Sequence, residues 1–240
     1  MWFMWTSLEN PSEWNWNEPM DGRLLAMADD VKSRRRYHSP LRAEQADGTR
    51  RRVLAAARDL FLARGYAGTT VNAVAEAAGV SPDTIYVSLG GKQGLLEGVL
   101  SLARFDPEDP VQRGQQQRRD ETRALTDPHQ RLRRLVELSC QTLARISPVH
   151  AVLRGAADGH PFAAELYART LGLRLQLQAR NLHTYLGASL RPGLTVRQAA
   201  ERYSALLSPE LYHLLTVERR WSTRRYASWV ADLLDHDLLG

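Results

Sequence analysis

Residues 70–86 constrain this chain most, because they lay out two short helices around a single glycine. Thr70 is placed to cap a helix over 71–78, and Gly79 supplies its left-handed stop. A second helix opens at Ser81, with Pro82 at its first position, where a missing N–H costs nothing. Ala75, Ala77 and Ala78 stay small where the two helices would cross, and Val74, Val80 and Ile85 give apolar anchors on the inner face. Pro82, Asp83 and Thr84 then occupy the first turn of the second helix, small or polar as reading base edges in a major groove requires. The pattern is that of a helix–turn–helix, and also of a helical hairpin used as a plain packing unit.

The flanking sequence is helical as well. Val53, Leu54, Ala57, Leu60 and Phe61 share one face of a helix that starts near 49 and that Gly65 stops. The Gly90-Gly91 pair separates the helix ending at Leu89 from a fourth that runs to Arg104. Beyond a segment rich in Pro and Gln, helices are predicted over 128–146, 148–158, 160–187, 195–207, 209–219 and 222–238, with Pro148, Pro161, Pro192 and Pro209 at or near starts. Leu171, Leu173, Leu175 and Leu177 alternate like a strand, but a lone strand would have no partner, so the segment is assigned to a helix. The fold class is all-α: a flexible extension (1–48), a helix–turn–helix domain (49–104), a linker (105–127) and a helical bundle (128–240), to which the resemblance named below assigns ligand binding and dimerisation.

Composition excludes several classes. With 43% hydrophobic and 25% charged residues in 240, the chain is ordinary for a globular protein. A lone cysteine, Cys140, excludes a disulfide scaffold, fits a reducing cytoplasm and reads as a buried hydrophobe. No run approaches the ~18 apolar residues of a membrane span, and no basic stretch precedes an apolar core at the start, so neither membrane nor secretion is expected. Met20 and Met27 are alternative starts. The net charge of +5 is spread along the chain and comes almost wholly from Arg, Lys32 and Lys92 being the two Lys residues, so it points only weakly to a polyanion. The run Lys32–Arg36 reads either as a solvated charge run or as an arm lying along DNA. Seven His without ligand-like spacing, and no phosphate loop or nucleophile elbow, predict no metal, no cofactor and no enzyme.

The stretch Arg52-Val53-Leu54-Ala55-Ala56-Ala57, Leu60-Phe61, Gly65-Tyr66, Thr69-Thr70-Val71, Val74-Ala75, Ala78-Gly79-Val80-Ser81, Thr84-Ile85-Tyr86, Gly91-Lys92 and Leu95-Leu96 resembles the N-terminal DNA-binding domain of the TetR family, the tetracycline-repressor-like transcriptional regulators. The resemblance covers about residues 49–96. It implies a homodimer with one helix–turn–helix per subunit, a double-stranded DNA operator, and a C-terminal domain that takes a small-molecule inducer. It places Tyr86 on a phosphate and Thr84 at a base, where Thr84 alternatively bonds within its own first turn. Asp83 either accepts from a cytosine amino group or complements the helix dipole, and Thr70 caps a helix whose N-terminus faces a phosphate. Lys92 stands against the dipole of the fourth helix, which a phosphate held there would explain. The chain departs from the family pattern at Leu89, usually aromatic, and near Val87-Ser88, usually aromatic or His, so Ser88 is a base-contact candidate of open preference. Gly94 and Gly98 inside the fourth helix each cost about 1 kcal/mol relative to Ala.

More weakly, the stretch from Ser208-Pro209-Glu210-Leu211-Tyr212 through Trp221-Ser222 to Trp229-Val230 resembles C-terminal domains of one TetR subgroup. The resemblance implies a dimer seam on 195–207 and 222–238, with Ala199, Leu206, Tyr226, Trp229, Val230 and Leu233 as candidates; intrachain core is the alternative for each. Leu135, Leu138, Phe162, Leu166, Tyr167 and Leu175, with Gln178 or His183 as polar anchors, are the expected pocket lining. The favoured function is a ligand-responsive repressor. A helical-bundle enzyme and a ligand-independent architectural DNA-binding protein are the alternatives.

Overall fold

Polar caps open six of the described helices. Thr70, Ser81, Asp127, Thr195, Ser208 and Ser222 each accept a backbone N–H from the turn they open, and Thr195 with Gln198 completes a reciprocal capping box. Each such cap is worth about 1 kcal/mol. The computed structural model describes residues 40–106 and 114–240. The helices are α1 (Pro40–Arg64), α2 (Val71–Ala78), α3 (Pro82–Leu89), α4 (Lys92–Arg104), α5 (Gln115–Ala124), α6 (Pro128–Ala157), α7 (Pro161–Leu186), α8 (Val196–Leu206), α9 (Pro209–His213) and α10 (Thr223–Leu238). No strand occurs among the described residues, and none of their helices is long and apolar enough to cross a membrane.

Four boundaries differ from the sequence expectation. The first helix starts at Pro40 rather than near 49, and Gly48 lies inside it. The expected linker holds α5, whose Gln, Arg, Glu and Ala residues favour helix and whose Gln117 Nε2 donates to Glu121 one turn on. The segment 209–219 is α-helical only to His213 and continues as a π-helical turn, Leu214–Glu218. Pro148 does not separate two helices: α6 runs through it for 30 residues. An interior proline costs about 3 kcal/mol, and burial of Cys140, Leu143, Val149, His150 and Leu153 on either side holds the helix together. Residues 1–39, including the basic run Lys32–Arg36, lie outside the described residues.

Within residues 48–240 the apolar residues fall into two cores that share α6 and α7. In the first, α1 to α4 pack on the C-terminal half of α6 and the start of α7, with Phe61, Ile85, Leu95, Leu96 and Leu153 fully buried. In the second, the N-terminal half of α6 packs with the rest of α7 and with α8, α9 and α10, around Leu132, Leu182, Leu207, Tyr226 and Leu234. Where the cores meet, the α6 turn 147–150 carries polar groups. Ser147 Oγ donates to the Pro209 carbonyl at 3.2 Å, and the buried His150 ring stands 3.6 Å from the Glu210 carboxylate, which also accepts from the Tyr167 hydroxyl at 2.8 Å. Burial, helped by the charges of Arg174, Arg154 and Arg104, lowers the His150 pKa against the opposing pull of Glu210. Burial alone would raise the Glu210 pKa, but its own backbone N–H, Tyr167, His150 and Arg174 outweigh it and lower it.

The glycines inside α4 mark close approach. A Cβ on Gly94 would stand 1.5 Å from the Leu89 carbonyl oxygen, and one on Gly98 would stand 2.6 Å from Leu54 Cδ2. The helix-propensity cost of both glycines therefore seats α4 against the end of α3 and against α1.

Two outcomes follow from these contacts. Gly94→Ala should destabilise the fold by about 3 kcal/mol or more in urea titration, because the clash is with backbone, whereas Gly98→Ala, meeting a side-chain end, should cost about 1 kcal/mol. His150 binds its proton less readily folded than unfolded, so its contribution to stability is present above about pH 6.5 and is lost as pH falls below that unfolded value. Thermal melts of wild type and His150→Asn between pH 7.5 and 5 should show a shallower acid loss in the variant.

Candidate functional site

The turn between α2 and α3 is built from local chemistry. The buried Thr69 hydroxyl donates to the Leu60 and Gly65 carbonyls at 3.1 and 2.9 Å, fixing the end of α1, while the neighbouring Thr70 Oγ1 accepts from Ala73 N at 3.1 Å and starts α2. Gly79 takes φ +66°, a conformation that costs a residue with a side chain, and the N–H groups of Gly79 and Val80 close on the Glu76 and Ala75 carbonyls. On α3, Ile85 and Leu89 turn inward and are buried. The opposite face is open: Asp83 and Ser88 are exposed, Tyr86 is 56% exposed and Val87 89%. Pro82 and Thr84 are half-buried at its start.

Several of these side chains already have partners within the fold. Thr84 Oγ1 lies 2.9 Å from Ser81 Oγ, the local first-turn bond, and Ser88 Oγ donates to the Thr84 carbonyl at 2.6 Å. A DNA contact by either hydroxyl has to share or exchange that bond. Lys92 needs no phosphate to explain its position. Its Nζ donates to the Ala67 carbonyl at 3.3 Å and lies 4.4 Å from the centre of the Tyr66 ring, and burial lowers its pKa. It ties α4 to the loop between α1 and α2, a partner 25 residues away that no local pattern could show.

Tyr86 is different. Its hydroxyl has no hydrogen bond among the described residues, and its ring edge lies against Gly91, where a Cβ would be 3.0 Å from Cε1. Gly91 is the N-cap of α4 and gives no side-chain acceptor to the first-turn N–H groups. A free phenol and an uncapped helix N-terminus thus adjoin, donors suited to one phosphate. Two residues of this face were not singled out from sequence. Val87 is a bare apolar side chain on the open face of α3, suited to a thymine methyl. Arg50 of α1 reaches the Ser88 carbonyl at 3.2 Å, bringing positive charge to the end of α3. The Arg50-Arg51-Arg52 run was its signal, but Arg51 pairs instead with Asp106 at 2.6 Å.

In the bundle, a cavity of about 360 Å³ opens among α6, α7 and α8. Leu135, Leu138 and Gln178 line it as expected. Phe162, Leu166 and Tyr167 do not; they pack in the first core, with α1 to α4. Leu175 packs against the second core and His183 is exposed, and neither lines the cavity. The lining residues not foreseen include apolar ones such as Leu143 and Ile146 and a polar group, Ser139, Thr142, Arg174, Asn181 and Tyr203. Ser139 Oγ and the Tyr203 hydroxyl lie 3.0 Å apart. Cys140 is buried beside this region, where burial and then Glu137 push its thiol up to about 12.

Of the dimer candidates, Ala199, Tyr226 and Val230 are fully buried within the single chain and are out of a partner's reach. The Tyr226 hydroxyl donates inward to the Leu206 carbonyl. Leu206 and Trp229 are partly covered, and Leu233, one turn beyond Trp229 on α10, is 42% exposed.

Residues 53–99 match the family of bacterial regulatory proteins of the tetR type. The HTH-type transcriptional regulator YvkB of Bacillus subtilis is 45% identical over 53 residues, 22% of this chain and 28% of that protein, so the aligned part spans about a quarter of the curated relative's length. Among solved structures, NalD of Pseudomonas aeruginosa, described as the secondary repressor of the MexAB-OprM multidrug efflux pump, superposes with a TM-score of 0.60 at 22% identity, over 81% of this chain and 98% of that one. A transcriptional regulator of Saccharomonospora viridis, crystallised with choline, does so with a TM-score of 0.59 at 24% identity, over 81% and 99%. The sequence match to the tetR family falls on the helix–turn–helix block, residues 53–99, and the fold shared with these solved structures extends across the helical bundle.

Proposed function

We propose that this chain is a homodimeric, sequence-specific DNA-binding repressor of transcription, released from its operator by a small molecule in the α6–α8 cavity. The observation that carries the reading is the open face of α3. Its inner residues are anchored in the core, while Asp83, Tyr86, Val87 and Ser88 face outward beside the uncapped start of α4. That arrangement separates phosphate positioning, by Tyr86 and the α4 N-terminus, from base contact by Thr84, Val87 and Ser88. Thr70 gives a second capped helix start on the same domain, and Lys92 acts by holding α4 in place. NalD is described as a repressor and the S. viridis regulator was crystallised with choline, which supports repression and a small ligand as the family's mode for this chain too. The dimer uses what the single chain leaves uncovered on α8 and α10, Leu206, Trp229 and Leu233.

The test is fluorescence anisotropy with duplex DNA from immediately upstream of the gene, at two salt concentrations. Binding should prefer that sequence and weaken with salt. Tyr86→Phe should raise Kd about five- to tenfold without altering the melting temperature, since the hydroxyl has no partner among the described residues. Lys92→Ala should lower both affinity and melting temperature. Absence of salt-sensitive, sequence-preferring binding would overturn the reading. In light scattering, Leu233→Glu should shift a dimer toward monomer while leaving the helical content unchanged, because the side chain is exposed in the single chain.

A further inference from the structure

We infer that the cavity takes an amphiphile with an anionic head, carboxylate or phosphate, and that Arg104 and Arg174 hold that head. The inference rests on the regulator reading and gives its ligand a chemical class. Four arginines line the cavity, Arg104, Arg119, Arg174 and Arg180, and no carboxylate does among the described residues. The apolar remainder, Leu135, Leu138 and Leu143 among it, suits a hydrocarbon body.

Arg174 is the sharpest feature. Its Nη2 donates to the Ser204 carbonyl at 3.0 Å, but Nε and Nη1 are buried with no partner. A guanidinium stays charged at any ordinary pH, so donors left unpaired in the interior carry a full desolvation cost. Glu210 is the carboxylate that acts on it, yet that carboxylate is taken by the Tyr167 hydroxyl and by His150, and no ion pair joins it to Arg174. Arg104 has no ion pair among the described residues either, and burial lowers the pKa of both groups. An anion between them relieves both, and the planar fork of each suits a carboxylate or phosphate. A cation of the same size meets four like charges.

Position gives the site a consequence. Arg104 ends α4, whose other end is seated on the α3 carbonyl of Leu89, and Arg174 belongs to α7. A head group held by both ties the recognition unit to the bundle, and drawing in the end of α4 changes how α3 is presented to DNA.

The experiment is isothermal titration of the full chain with decanoate, decyl phosphate and decyltrimethylammonium, each below its micelle concentration. At least one anion should bind at one per chain, at least tenfold tighter than the ammonium, and Arg174→Gln and Arg104→Gln should each weaken it tenfold or more, with Arg174→Lys recovering part. Equal binding of the ammonium, no binding of either anion, or anion binding indifferent to both variants would overturn the assignment. If Arg174→Gln fails to fold, Arg104→Gln and the head-group comparison on wild type still decide. Repeating the anisotropy with and without the anion separates the two readings. Upstream DNA bound with no anion bound overturns the cavity assignment alone; anion bound with no DNA bound overturns the repressor reading alone.

Discussion

The packing of α4 against α6 is the constraint on which the molecule depends. Leu95, Leu96 and Val99 of α4 share a buried cluster with Val149 and Leu153 of α6, and the same α4 is pressed onto α3 at Gly94 and onto α1 at Gly98. Packed interiors do not deform smoothly, so a displacement of α4 is carried to α3 rather than absorbed between them. The glycines lose helix propensity and gain contact distance, and that exchange makes the coupling stiff.

The second half of the coupling is polar. Ser147 and His150 of α6, Tyr167 of α7 and Glu210 of α9 meet where the two apolar cores adjoin. Buried polar groups hold defined geometry because leaving any one unpaired is costly. The joint therefore fixes the register of three helices where apolar contacts alone would permit sliding, and Arg174 acts electrostatically on that joint from the cavity side.

Much of this was legible in the sequence, for a physical reason. A helix–turn–helix is specified by near neighbours: Thr70 caps three residues ahead, Gly79 closes on Ala75 and Glu76, and Ser81 caps Thr84. What failed to show depends on partners far along the chain. Lys92 finds Ala67, Arg131 finds the Tyr185 carbonyl, and Phe162, Leu166 and Tyr167 turn toward the first core rather than the cavity. Helices with apolar residues on more than one face do not announce which neighbour each face meets, so Tyr226 and Val230 suit an interface as well as the interior they occupy. Pro148 misled for a related reason: local chemistry argues for a break, and burial on both sides outweighs it.

That proline has a further consequence. It removes one amide from the middle of α6 and leaves the carbonyl four residues earlier, on Ala144, without its helical donor. The turn at which the backbone ladder is weakest is also the turn at which α6 passes from one apolar core to the other. In hydrogen-exchange terms, α6 is continuous in geometry and divided in protection. On that division, amides around Leu132–Leu143 should open with the second core and those around Leu153 with the first, so that one helix serves two cooperative units.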